Sequence, residues 1–156
     1  MFQTMVLALD GSISSDKALD CAAEIARSSG SHILVVHVVE ITAGRAAGPA
    51  HPNEEEIKAK VRQQVADLVG SGIPAELEFH STLTGGPAMV IADTAKRAGA
   101  DTIVCGTRGH TIIAGMLLGS VALRLLHVAP CPVLTVPMSY QPRSGARAAE
   151  VAATAS

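Results

Sequence analysis

The chain has 156 residues, of which 48% are hydrophobic and 17% are charged, a composition typical of a folded protein rather than a disordered one. Its 12 basic and 14 acidic side chains give a formal net charge of −2, which argues against broad binding to nucleic acid or to an anionic membrane surface. Aromatic residues make up only 2%, so stacking surfaces for bases or sugars are nearly excluded and the core must be aliphatic.

Short runs rich in Val, Ile and Leu alternate along the chain with longer amphipathic segments. In chain order, the predicted strands are residues 4–9, 33–39, 75–80, 102–105 and 132–136. The predicted helices between them are residues 14–29, 54–69, 87–98 and 120–128. This alternation is typical of βαβ units, so the sequence predicts a single-domain α/β fold with an open parallel sheet and helices on both faces.

Four segments carry further detail. The third strand alternates apolar with charged residues, which places it near a sheet edge. Ser12 or Ser14 is expected to cap the first helix. Residues 41–53 are rich in Gly, Ala and Pro and predict a mobile loop, and residues 139–156 predict a flexible tail after a domain spanning residues 1–138.

The cysteines and the N-terminus indicate a cytoplasmic protein. Cys21, Cys105 and Cys131 are odd in number, lack C-x-x-C spacing and lie in apolar stretches, as free thiols in a reducing compartment do. Asp10 interrupts the first apolar run too early for a signal peptide. Residues 112–123 form the longest weakly polar stretch and are too short to cross a bilayer. No membrane contact is expected.

The main chemical signal lies after the first and fourth strands. In an open α/β sheet, ligands bind beyond the carboxyl ends of the strands. If the first and fourth strands are neighbours, Asp10 and Gly106 would face each other across this crevice. Gly106, Gly109 and Gly119 are followed by Ser120 at a helix start, and such glycines let backbone N–H groups approach an anion. The same residues also fit ordinary turns. Neither a P-loop nor a G-x-G-x-x-G pattern is present.

Several longer segments resemble the universal stress protein family. They are LALDGS at residues 7–12, VVHVVE at 35–40, the stretch from 85 to 109 that ends in CGTRG, LLGSVA at 117–122, and APCPVLTVP at 129–137. The spacing G-2x-G-9x-G-[ST] is the hallmark of the family's ATP-binding branch. The resemblance implies a Rossmann-like fold, similar to the adenine nucleotide alpha hydrolases, with five parallel strands in the order 3-2-1-4-5.

The resemblance also implies a site for ATP, with ADP and AMP as alternatives, and with Mg²⁺ or Mn²⁺ held by the phosphates. Asp10 and the backbone of Val38 would bind the adenosine end, and Gly106 would lie by the ribose. The base pocket would be lined by Ala8 and Cys105. The phosphates would be wrapped by Gly109, Gly119, Ser120 and Val121.

The remaining polar residues fit either a ligand-binding role or a purely structural role. Arg108 fits phosphate neutralisation and a solvated loop cation equally well. His37 lies inside an apolar strand and is expected to be a hydrogen-bonded core residue. The remaining histidines show no metal-ligand spacing, so no protein metal site is predicted.

Three functions remain open. The first is an ATP-binding stress-response regulator that acts through nucleotide-dependent conformation or oligomerisation. The second is a slow ATPase or autokinase, for which no base other than Asp10 is evident. The third is a nucleotide-free dimeric interaction protein, and the intact glycine spacing counts against it. A homodimer through residues 132–136 is expected, because this strand would lie at a sheet edge and the family pairs there.

Overall fold

The computed structural model describes residues 2–43, 48–49, 52–83, 86–109, 114–115 and 117–143. Its strands are β1 Thr4–Ala8, β2 His32–Thr42, β3 Gly48–Pro49, β4 Ala75–Thr82, β5 Thr102–Gly106 and β6 Val133–Val136. Its helices are α1 Ile13–Ser29, α2 Glu54–Gly70, α3 Pro87–Ala98 and α4 Ser120–Val128. Within these described segments, no helix combines the length and the apolar character needed to span a bilayer.

The central sheet has the predicted arrangement. Strands β4, β2, β1, β5 and β6 lie side by side and every neighbouring pair is parallel. In the numbering of the five predicted strands this is the order 3-2-1-4-5, so the predicted fold class is confirmed. The third predicted strand, β4, pairs only with β2 in the described residues, as its alternating pattern indicated.

The prediction of a wholly parallel sheet was wrong at one end of β2. Strand β2 continues to Thr42 because β4 pairs with it as far as Thr82, and the two-residue β3 then pairs antiparallel with Ile41 and Thr42. The predicted mobile loop 41–53 therefore begins as strand and contains another, while residues 44–47 and 50–51 lie outside the described part of the chain. β-branched residues at the end of β2 favour this extension.

The sheet separates two aliphatic clusters, because successive side chains along a strand point to opposite faces. On one face, Leu7 and Val35 pack with residues of α1 and α2. On the other, Val6 and Val36 pack with residues of α3 and α4. The near-continuous apolar runs of the sequence are thus explained by burial on both faces.

The helix ends follow local signals. Ser12 caps α1 by accepting a hydrogen bond from the Ser15 N–H at 3.2 Å, which settles the choice between Ser12 and Ser14. Helix α3 begins with Pro87 and ends before Gly99, which has a φ of 60°. Helix α4 differs, because its N-cap is Gly119, which has no side chain to accept from the first-turn amides.

The predicted flexible tail begins with an attached segment. The Tyr140 hydroxyl donates to the Glu24 carboxylate on α1, and the backbone N–H of Arg143 donates to the same oxygen at 3.1 Å. The Tyr140 ring also packs against the cluster beneath α1. Residues 144–156 lie outside the described residues, and the boundary after residue 138 stays a prediction.

Candidate functional site

A cleft opens at the carboxyl end of the sheet, where β1 lies between β2 and β5. The direction of chain progression reverses at β1, which makes this the switch point where ligands bind in open α/β sheets. The cleft has a volume of about 190 Å³. An engineered protein cavity of about 150 Å³ is enough to bind benzene, so a ring-sized organic group has room here.

The cleft brings together all ten residues that the sequence analysis named. These are Ala8, Asp10, Val38, Cys105, Gly106, Arg108, Gly109, Gly119, Ser120 and Val121. The structure thus places the candidates on one surface, and their roles toward a ligand stay predictions. The sequence analysis did not name other lining residues, of which Leu9, Glu40 and Thr107 are examples.

Gly106 packs β5 against the start of α1. A Cβ atom at this position would lie 2.4 Å from the Ser14 Oγ and 2.6 Å from the Ser14 carbonyl oxygen. The N–H of Arg108 donates to the same Ser14 Oγ at 3.1 Å. Gly106 is therefore required by close packing, a role that the ribose-adjacent prediction did not include.

The two parts of the glycine pattern are in direct contact. The Gly119 N–H donates to the Thr107 carbonyl oxygen at 2.6 Å. A Cβ on Gly119 would lie 3.3 Å from the Arg108 Cα, and a Cβ on Gly109 would lie 3.2 Å from the Asp10 Oδ2. Glycine at these positions lets the loop after β5, the start of α4 and the Asp10 carboxylate approach one another.

The first turn of α4 supplies donors to this wall. The first amides of a helix have no acceptor within the helix, and Gly119 provides no side-chain cap. Ser120 and Val121 line the cleft, so the positive end of the helix dipole lies beside it. Arg108 is an exposed side chain on the same wall.

Val38 presents backbone groups to the cleft on the opposite wall. Strand β1 pairs with β2 up to Ala8 and Val36, and the Leu9 N–H then donates to the Val36 carbonyl at 3.0 Å. The next backbone groups of β2 on this side are the N–H and C=O of Val38. Within the described residues, no backbone partner bonds them there.

The two carboxylate oxygens of Asp10 face different parts of the structure. Its Oδ1 accepts the Ser12 N–H at 2.9 Å, which fixes the turn into α1. Its Oδ2 lies on the side of Gly109, at the cleft. The nearby Cys105 lines the cleft as an uncharged thiol. Burial, and to a smaller extent the Asp10 charge, raises the pKa of this thiol to about 12.

His37 is the hydrogen-bonded core residue that the sequence predicted. It is 3% exposed, its Nδ1 lies 2.7 Å from the Leu9 carbonyl oxygen, and its Nε2 contacts a Glu54 carboxylate oxygen. Glu54 is also 3% exposed, and the sequence analysis did not single it out. No local pattern distinguishes Glu54 from Glu55 and Glu56, since its burial depends on where α2 packs.

In the described part of the chain, no group of three or more His, Cys, Asp or Glu side chains could hold a metal ion.

Comparison with known proteins identifies the class to which this fold and cleft belong. The model of the universal stress protein family matches residues 1–137. A universal stress protein of Thermus aquaticus is 37% identical over 142 residues, which cover 87% of this chain and 99% of that protein. The chain therefore belongs to the universal stress protein family.

Two similar solved structures contain a nucleotide. One is a universal stress protein in complex with cAMP, 29% identical, with a TM-score of 0.62 over 88% of this chain and 98% of the other. The second is a universal stress protein of Archaeoglobus fulgidus in complex with dAMP, 27% identical, with a TM-score of 0.62 over 87% and 98% of the two chains.

Proposed function

We propose that this protein binds an adenine nucleotide in the cleft between β1 and β5, and that ATP is its main ligand. The observation that carries the proposal is the convergence of Gly109, Gly119 and the start of α4 on one wall, opposite the backbone of Val38. Similar proteins in complex with cAMP and dAMP support an adenine nucleotide as the ligand class. The spacing of the glycines supports a ligand with several phosphates.

At the phosphate end, this chain would act through backbone donors. The N–H groups of Gly109, Ser120 and Val121 would donate to phosphate oxygens, and the helix dipole favours negative charge there. Cβ atoms at Gly109 and Gly119 would meet Asp10 and the loop after β5, so glycine at both positions lets the parts that carry these donors pack closely together. Mg²⁺ or Mn²⁺ bound to the phosphates would reduce the remaining charge.

At the adenosine end, apolar side chains would contact the base, and polar groups would form hydrogen bonds to the base and the ribose. Ala8 and Cys105 would contact the flat face of the base, and the backbone of Val38 would bind its edge. The Asp10 carboxylate would accept hydrogen bonds from ribose hydroxyls near Gly106.

Binding would link three elements that line the cleft, namely β1, the loop after β5, and α4. A ligand that binds only this arrangement stabilises it by mass action, so the nucleotide would control conformation. We propose that the protein uses this control as a cytoplasmic stress-response regulator, consistent with its three free cysteines.

We also propose a homodimer through β6. This strand pairs only with β5 within the described residues, and its Leu134 is 38% exposed. An edge strand with an exposed apolar side chain favours pairing with a second copy. Light scattering at micromolar concentration should give the mass of a dimer, and a monomer mass would contradict this part of the proposal.

The test of nucleotide binding is calorimetric titration of the full chain with ATP and Mg²⁺, ADP, AMP and, as a control, GMP. Saturable binding of adenine nucleotides that weakens at least tenfold in Gly119→Ala would support the proposal. Flat titrations up to millimolar adenine nucleotide would contradict it and favour the nucleotide-free interaction protein. Release of phosphate from ATP on the same time scale would favour the ATPase alternative.

A further inference from the structure

The hydrogen-bond ladder between β1 and β2 is diverted at its last step. In a regular parallel ladder, the Leu9 N–H would donate to Val36 and the Leu9 carbonyl would accept from the Val38 N–H. The first bond is present at 3.0 Å. The second is replaced, because the Leu9 carbonyl lies 2.7 Å from the Nδ1 of the His37 ring.

The protonation of His37 follows from its two partners. A carbonyl oxygen can only accept a hydrogen bond, so Nδ1 must carry a proton and donate it to Leu9. The Nε2 atom then shares one proton with the Glu54 carboxylate, whichever of the two groups holds it. The roles of both ring nitrogens are therefore set by contacts within the protein.

Three contacts hold the ring in this orientation. Glu54 on α2 bonds Nε2 and Leu9 bonds Nδ1. The ring also packs nearly perpendicular to the Phe79 ring, with a centroid separation of 5.9 Å and an interplanar angle of 86°. His37 and Glu54 are each 3% exposed, so water does not compete for these bonds. The Leu9 carbonyl is thus occupied by a rigid donor.

We propose that His37, held by Glu54, is a positioning residue that keeps the Val38 N–H open to the cleft and so sets the base selectivity of the site. This inference rests on the proposed nucleotide binding. The N–H and C=O of Val38 point to the same side of β2 and offer one donor and one acceptor. Adenine presents the complementary pair, an acceptor at N1 beside a donor amino group.

Inosine monophosphate is the probe for this selectivity. Its base carries a hydrogen on N1 and an oxygen in place of the amino group, so its donor and acceptor are exchanged relative to AMP. Sugar and phosphate are the same in the two ligands. The ratio of their dissociation constants therefore reports on the base edge, whereas a general loss of structure weakens both ligands together.

The chain allows a matched pair of variants at position 37. The amide nitrogen of Asn is as many bonds from Cα as Nδ1 is, so His37→Asn keeps a donor for Leu9 and loses the bond to Glu54. The amide nitrogen of Gln corresponds to Nε2, so His37→Gln keeps the bond to Glu54 and loses the donor to Leu9. Each variant removes one buried bond, and only the second frees the Leu9 carbonyl for Val38.

The experiment is calorimetric titration of wild type and both variants with AMP and with inosine monophosphate. We expect wild type and His37→Asn to prefer AMP by about tenfold, the effect of roughly one hydrogen bond. In His37→Gln this preference should fall to about twofold or less. Equal preference in all three proteins, or equal loss in both variants, would overturn the inference and leave nucleotide binding itself intact.

Two variants at Glu54 test the inference even if replacing His37 prevents folding. Glu54→Gln keeps a hydrogen-bond partner for Nε2, since a neutral His37 that donates from Nδ1 can accept there from the Gln amide. The preference for AMP should therefore be retained, whereas Glu54→Ala should reduce it at least threefold. Equal preference in these two variants would contradict the role of Glu54. If wild type binds neither ligand, the proposed function fails and this inference fails with it.

Discussion

Alanine substitutions at Gly106 and Gly119 should separate the folding role of the glycine pattern from its binding role. At Gly106, a Cβ would lie 2.4 to 2.7 Å from the Oγ and backbone of Ser14, and no rotation of a flexible side chain relieves a contact with backbone. At Gly119, the nearest atoms would lie at 3.3 Å, and its φ of −68° suits any residue.

The size of each effect follows from these distances. Forced overpacking costs about 1–3 kcal/mol, so Gly106→Ala should lower the free energy of unfolding by that amount. For a chain of this size the melting temperature should fall by roughly 2–12 °C. Gly119→Ala should cost about 1 kcal/mol or less as an N-cap change. It should nevertheless weaken nucleotide binding about 10- to 100-fold, the effect of disturbing a bond between an amide and a charged group.

Urea unfolding followed by circular dichroism measures the first effect, and calorimetric titration with ATP and Mg²⁺ measures the second. The reasoning is refuted if Gly106→Ala is as stable as wild type, or if Gly119→Ala unfolds as easily as Gly106→Ala. Gly70→Ala is a suitable control, because a Cβ there meets no atom within 4 Å and the residue ends α2, a helix that does not line the cleft.

Three predictions concern titratable groups. The Arg97 guanidinium, with a smaller effect of His80, lowers the pKa of Glu78 from 4.5 to about 2. The stabilising effect of the Arg97–Glu78 pair is therefore present above pH 4.5 and is lost as the pH falls toward 2. The difference in urea midpoint between wild type and Arg97→Gln should disappear over the same pH range. Burial and a hydrogen bond to a carboxylate raise the pKa of Tyr140, the single tyrosine, so tyrosinate absorbance should appear at higher pH in the folded protein than in urea. Burial raises the pKa of the Cys105 thiol to about 12, so iodoacetamide should modify it far more slowly in the folded protein than in the unfolded chain at neutral pH, as peptide mass mapping would detect.

The parts of the fold that were predictable depend on local chemistry. Helix α3 begins at Pro87 and ends before Gly99, and both boundaries were predicted because Pro suits a first helical turn and Gly suits a left-handed C-terminal position. The strands covered on both faces were predicted because their apolar runs were unbroken.

The parts that were missed depend on contacts between distant segments. Gly106 cannot carry a side chain because of Ser14, which lies 92 residues earlier in the chain, and no local pattern reveals that contact. Glu54 is buried because α2 sets it beside the His37 ring, while the two glutamates after it are exposed. Strand β3 was missed because a Gly-Pro pair normally indicates a turn.

That the candidate site residues lie close together was predictable from the topology of the sheet. Parallel strands all end at the same edge of a sheet, so residues that follow β1, β2 and β5 must meet if those strands are neighbours. The contact between Gly119 and the Thr107 carbonyl was not predictable, because the sequence does not fix how α4 returns to that edge.

The most direct test of nucleotide binding is a titration of the isotope-labelled protein with AMP, followed by amide chemical shifts. Shifts that saturate together at Val38, Gly109, Ser120 and Val121 are predicted, because these backbone N–H groups would bind the two ends of the ligand. Unchanged resonances at these positions with millimolar AMP, or shifts confined to another surface, would contradict the proposal.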